Sequence, residues 1–295
     1  MVSTQTTFLV LLSAADEALA AEYIVAGAHG FVLDNSSLKE LRAAIWQVIE
    51  GKAVCSADMI LAAAIGLLPR GEAALVLKGL SETASKYGVT FHCAELEDEG
   101  DRGLGISYIS RERRLETVPY DEAFSTLSAM NAGLGATGDI ADRILRRIFD
   151  AESAAHGLPP EQVHLHEIGR PEALLNIAGI GLVAPMICPP GEVFVCSTVT
   201  AGRGITTTSH GTMRIPAPAS AFLLKGLPHI AGDHPGERAT PTGLAAVAAL
   251  SSGHSDTFPV NPVARSVGFG TKRFAGRLGR VVMTSSGHPG PQDAD

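Results

Sequence analysis

The sequence predicts a mixed α/β and α+β protein: a truncated parallel βαβα unit in residues 1–54, then a larger α+β domain in residues 55–286. Three observations carry that expectation. The first sixty residues alternate short apolar runs with helically spaced ones, as parallel units do. Composition breaks near residues 52–56, and beyond the break helices and alternating strands come in blocks. Glycine or proline closes many segments, and 32 glycines with 17 prolines supply turns without the composition of a disordered chain.

In the first unit, "TFLVLLSA" (7–14) reads as a buried strand, and "DEALAAEYIVAG" (16–27) as a helix closed by Gly27. "GFVLD" (30–34) is a second short strand, and Asn35, Ser36 and Ser37 offer caps to "SLKELRAAIWQVIEG" (37–51). The stretch "GAHGFVLDNSSLKELRAAIWQVIEGK" resembles the last strand and helix of a bacterial response-regulator receiver domain. The resemblance covers about fifty residues (about 7–54) and leaves out the half that carries the phosphorylated aspartate. Ser13 matches that family's hydroxyl residue, whereas Asp34 stands where it has a lysine. A non-phosphorylatable fragment that packs on its neighbour or mediates pairing is therefore expected.

Beyond the break, "CSADMILAAAIGLL" (55–68) is an apolar helix stopped by Pro69, and "GEAALVLKGLSETASKYG" (71–88) a second one ended by Gly88. "VTFHCAEL" (89–96) alternates like a strand, "EDEGDRG" (97–103) reads as a charged loop, and "LGISYISR" (104–111) as a strand. Helices follow over 120–133 and 137–157, then an apolar helix near 172–184. Strands and short proline-primed helices run on to about residue 286, and 287–295 reads as a disordered tail.

Bulk properties narrow the function. A net charge of −8 without a basic face argues against nucleic-acid binding, and "RERR" (111–114) reads as a solvated loop. No apolar run is long enough to span a membrane, and the N-terminus lacks a signal peptide's charged start. Four cysteines without C-x-x-C spacing suggest reduced thiols in a cytoplasmic protein. Small-molecule chemistry is the expectation.

Four stretches carry candidate chemistry. In "EQVHLHEIG" (161–169), a strand would place His164 and His166 on one face and Glu167 on the other. Paired imidazoles suit nickel, zinc or copper, with Glu167 and Glu172 near enough to support them; an ordinary half-exposed strand has the same spacing. In "GRGITTTSHGTMRIPAPASAFLLKG" (202–226), His210 precedes a glycine turn. There Pro216 and Pro218 open a short helix whose N–H groups, with Ser220, suit an anion. "ERATPTGLAAVAALSSG" (237–253) repeats the pattern: Thr240 caps, Pro241 starts the helix, and Thr242 with Gly243 admits a ligand to the backbone. Both openings are equally readable as efficient helix starts. "SVGFGTKRFAGRLGR" (266–280) carries Lys272, Arg273, Arg277 and Arg280 among glycines, either a loop for an anionic small molecule or a solvated hairpin.

Taken in order, "SADMILAAAIGLL", "AESAAHGLPPEQVHLHEIG", "SHGTMRIPAPASAFLLKG", "ATPTGLAAVAAL" and "VGFGTKRF" resemble the N-terminal domain of the LarC family of nickel-insertion proteins, over residues 57–286. The resemblance implies a nickel chelatase, of the lyase class, acting on pyridinium-3,5-bisthiocarboxylic acid mononucleotide. Its product is the nickel-pincer cofactor of lactate racemase-type enzymes. It implies CTP and a divalent cation as well, and a separate C-terminal domain as partner. On that reading His164, His166 and Glu172 handle the metal, while Glu167 and His210 assist catalysis. Pro218, Ser220, Thr240, Thr242, Gly243, Lys272 and Arg273 meet the nucleotide. A homo-oligomer is compatible with it. Where the family carries two aspartates after its "HEVG", this chain has Glu172 and Asn176. The alternatives are a catalytically incomplete metal- or nucleotide-binding protein of the same fold, or a regulatory module built on the receiver-like segment.

Overall fold

The computed structural model of the chain describes residues 9–12, 30–33, 55–110, 117–165, 169–208, 211–232, 235–256, 262–274 and 277–286. β1 (Leu9–Leu12) and β2 (Gly30–Leu33) pair in parallel, Leu9 opposite Gly30, as a βαβα unit requires. The two helices expected there, the "RERR" loop and the tail lie outside the described residues.

α1 (Ala57–Ile65) is buried on nearly every side, so its apolar run needs no polar face. Pro69 ends the turn after it and starts α2 (Arg70–Lys86), which stops where Gly88 takes a φ of +71°. β3 (Val89–Asp98) and β4 (Asp101–Ser110) then form one long antiparallel hairpin. The charged loop expected over 97–103 is thus a correction. Glu99 and Gly100 alone make the turn, both with positive φ (53° and 82°), the combination that matches strand twist. The charges of that stretch belong to strand ends.

β5 (Val118–Pro119) leads into α3 (Tyr120–Leu134) and α4 (Ile140–His156), which starts three residues later than expected, with Asp139 as its N-cap. A 3-10 turn (Pro160–Gln162) precedes β6 (His164–Leu165), paired with β5, and then α5 (Pro171–Ile187). The rest of the chain is short: β7 (Phe194–Cys196), β8 (Val199–Thr200), β9 (Gly202–Thr208), β10 (Gly211–Ile215), α6 (Pro218–Leu224), β11 (His229–Ile230) and β12 (Gly236–Glu237). α7 (Pro241–Leu250), β13 (Ser251–His254), β14 (Ala264–Phe274) and β15 (Arg277–Ser285) follow.

The main sheet runs β15-β14-β4-β3, with β14 and β4 parallel and the outer pairs antiparallel. α1 lies between this sheet and the helices, packing on β14 and β4 on one side and on α5 and α7 on the other. Small residues let it approach closely. A Cβ at Gly268 of β14 would sit 1.9 Å from the Met59 carbonyl oxygen, and one at Gly179 of α5 would sit 2.8 Å from Leu61. The glycine-rich segment expected to be either an anion loop or a solvated hairpin is a hairpin, and its Gly268 and Gly270 serve packing against Met59. Each large side chain that this arrangement buries, such as Leu61, Leu80 and Ile144, contributes about 1.5–3 kcal/mol. All four cysteines are free. Among the described residues no helix is long and apolar enough to cross a membrane.

Candidate metal-handling site

The chain enters α1 under constraint: the Cys55 N–H donates to the Arg238 carbonyl at 2.7 Å, and the Thr240 N–H to the Cys55 carbonyl at 3.0 Å. Asp58 falls in the first turn of α1 and accepts a hydrogen bond from the Ser56 hydroxyl. α5 opens with Pro171 at its first position, where a missing N–H costs nothing. Glu172 follows in its first turn, with Asn176 four residues on along the same face. Both carboxylates therefore sit at the positive ends of helix dipoles.

β4 carries Tyr108 into the same region. Its hydroxyl donates to Asn176 Oδ1 at 2.7 Å, and its ring meets Phe91 edge-on at 5.7 Å. Burial above all, then the charges of Asp58 and Glu172 and the Cys93 thiol, hold the phenol well above its ordinary pKa. Tyr108 thus stays a protonated donor between two carboxylates. Asn176 is 8% exposed and satisfied by that bond. Glu172 is not satisfied: among the described residues its buried Oε2 has no hydrogen-bond partner. Such an orphan costs about 1–3 kcal/mol, and a bound cation removes the cost.

Two neighbouring thiols are held in the unreactive, protonated form. Burial, then Asp58 and Cys196, push Cys55 up to about 12; burial and Glu95 push Cys93 up to about 11. Burial lowers the pKa of His92 on β3, and its buried Nε2 has no hydrogen-bond partner among the described residues. Its neighbours on β3, Phe91 and Cys93, point to the opposite face of the sheet.

The sequence-derived candidates divide into three groups. His164 stands exposed on β6 opposite Pro119, and Glu172 lies in the cluster just described. His166, Glu167 and His210 lie outside the described residues. So do the side chains of Lys272 and Arg273, whose backbone belongs to β14. Of the remaining residues, Thr240 and Gly243 are used by the chain itself, while the buried Ser220 hydroxyl has no hydrogen-bond partner among the described residues. Ser220 is buried within α6, a helix of seven residues, and Pro218 is exposed at its start. Thr240 caps α7 by accepting from the Gly243 N–H at 3.2 Å, and its hydroxyl lies 3.2 Å from that of Thr242. The close approach expected at Gly243 is made by the chain's own backbone, since a Cβ there would sit 2.3 Å from the Cys55 oxygen. Asp58 and Tyr108 were not singled out by sequence reasoning. Asp58 did stand inside the quoted "SADM"; Tyr108 had no local signal. Among the described residues no three His, Cys, Asp or Glu side chains converge closely enough to hold a metal ion.

Comparison with known proteins completes the picture. Residues 48–293 match the family model described as nickel insertion protein. A protein of Geotalea daltonii named "Putative nickel insertion protein" is 36% identical over 223 residues, 74% of this chain and 55% of its own. One of the same name from Citrifermentans bemidjiense is 40% identical over 136 residues, 46% of this chain and 35% of its own. The pyridinium-3,5-bisthiocarboxylic acid mononucleotide nickel insertion protein of a Nocardioides species is 29% identical over 210 residues, 70% of this chain and 51% of its own. The chain thus spans between about a third and just over half the length of these relatives. No solved structure matches it. With the family model covering most of its length, the chain belongs to the nickel insertion protein family.

Proposed function

We propose that this chain inserts nickel into pyridinium-3,5-bisthiocarboxylic acid mononucleotide, as the name of its Nocardioides relative describes for that protein. The observation that carries the reading is the buried, unpartnered Glu172 oxygen, set with Asp58 and Tyr108 at the start of the helix that follows the His164–His166 motif. A divalent cation is attracted there by two carboxylates, and imidazoles of the motif offer it nitrogen. Sulfur is the softer donor, so thiocarboxylates draw nickel away from a nitrogen and oxygen site. His164 and His166 deliver the ion, and Glu167 orients a ring or accepts the proton that metal binding releases. His210 assists. CTP with a divalent cation belongs to the same reading and is assigned to a separate C-terminal domain.

A second reading is favoured by Asn176, whose neutral amide is already engaged by Tyr108: a metal-binding protein of the same fold without turnover. Reconstitution separates the two. The protein is incubated with nickel, the thiolated mononucleotide, CTP and magnesium, with and without a relative's C-terminal portion, and lactate racemase apoprotein reports the product. The proposal expects activation that the His164→Ala/His166→Ala variant abolishes. Nickel binding without activation in either mixture supports the second reading instead.

A further inference from the structure

A groove of about 560 Å³ lies between α4, the end of α6 and the end of α7. Its volume suits a mononucleotide. On α4, Arg147 and Asp150 stand one turn apart on its wall, and neither has an ion-pair or hydrogen-bond partner among the described residues. Phe222 lines it, and its ring already attracts a cation, the Lys225 ammonium at 5.3 Å from the centroid. Ser251 and Ser252 line it just beyond the C-terminus of α7, the negative end of that helix dipole. The free groups are therefore one cation and one anion, with an aromatic ring, two hydroxyl-bearing residues and a helix end that disfavours a purely anionic guest.

Cys196 of β7 lines the groove as well.

We propose that this groove binds a zwitterionic aromatic nucleotide, a pyridinium mononucleotide, with the cationic ring at Phe222 and Asp150 and the phosphate or acid arms at Arg147. The inference rests on the substrate class proposed above. Serine hydroxyls suit the ribose, and the α7 end suits the ring's positive charge. A neutral base loses the contacts at Asp150 and the helix end, so the site discriminates by charge.

The test uses nicotinate mononucleotide as probe, against CMP and inorganic phosphate, by calorimetry on the full chain. Nicotinate mononucleotide is expected to bind at least about tenfold more tightly than CMP, a difference of about 1.4 kcal/mol. Arg147→Gln raises its Kd about tenfold, and Asp150→Asn narrows its advantage over CMP. Both residues are exposed, so neither change threatens folding. Equal affinity for CMP, no saturation at millimolar probe, or unchanged binding in both variants overturns the assignment. If Arg147→Gln leaves the KM for the thiolated nucleotide in the nickel-transfer assay unchanged, the groove is wrong and nickel insertion stands. If the variants lose the probe but wild type transfers no nickel, the groove stands and nickel insertion falls.

Discussion

The protein gathers carboxylates in two places and treats them in opposite ways. At the tip of the β3–β4 hairpin, Asp98 and Asp101 close on Arg280, each at 2.7 Å, with Glu99 at 3.7 Å and Arg265 on Asp101 at 2.8 Å. The Leu278 N–H adds a further bond to Asp98 at 3.0 Å. Every charge there has a partner within the chain. At the starts of α1 and α5, two carboxylates act on a buried phenol, and one oxygen of Glu172 has no hydrogen-bond partner among the described residues. The first gathering ties the β14–β15 hairpin to the sheet edge. The second leaves a cost that a bound cation would remove, and that asymmetry is what the proposed metal role rests on.

Breaking the satisfied cluster gives the largest effect. Arg280→Ala strands Asp98, which is 8% exposed, and is expected to cost about 3 kcal/mol. Thermal unfolding followed by circular dichroism should show a fall of roughly 6–12 °C, with nickel affinity unchanged. The second cluster responds with the opposite sign. Glu172→Met keeps the length and removes the buried, unpartnered oxygen, so stability rises by about 1 kcal/mol in urea titration. A loss of stability there means that the carboxylate is satisfied within the chain. Tyr108→Phe leaves Asn176 Oδ1 without its donor and costs about 1 kcal/mol by the same measurement.

The smallest effect is acid dependence. The Arg280 hydrogen bond first, then those of Arg265 and the charges of both, lower the Asp101 pKa below its usual 3.8. A depressed folded pKa gives stability that is fully present above 3.8 and is lost as pH falls through the lower folded value. Wild type should therefore lose more stability than Asp101→Asn on acidification below pH 3.8. Parallel acid titrations of the two remove the assignment.

The sequence made the helices legible because punctuation and periodicity agree there: Pro69 and Gly88 bracket α2, and Gly157 closes α4. It misled at residues 97–103, where local polarity suggested a loop. Asp98, Glu99 and Asp101 answer Arg280, some 180 residues away, a partner that no local window contains. The candidate site was half legible for the same reason. His164 and Glu172 stand close together in one motif, whereas Asp58, Tyr108 and Asn176 come from three elements joined only by packing around α1. At Gly243 and Gly268 the glycines were read as room for a ligand or a loop, yet the chain's own backbone fills the room. A sequence shows that space is needed, but not who takes it.

One measurement bears most directly on the asymmetry between the clusters: calorimetric titration of nickel into wild type, Glu172→Gln and Asp98→Asn. Saturable binding in wild type and in Asp98→Asn, with affinity at least about tenfold weaker in folded Glu172→Gln, is the expected result. Equal affinity in wild type and Glu172→Gln contradicts a metal-handling role for the cluster.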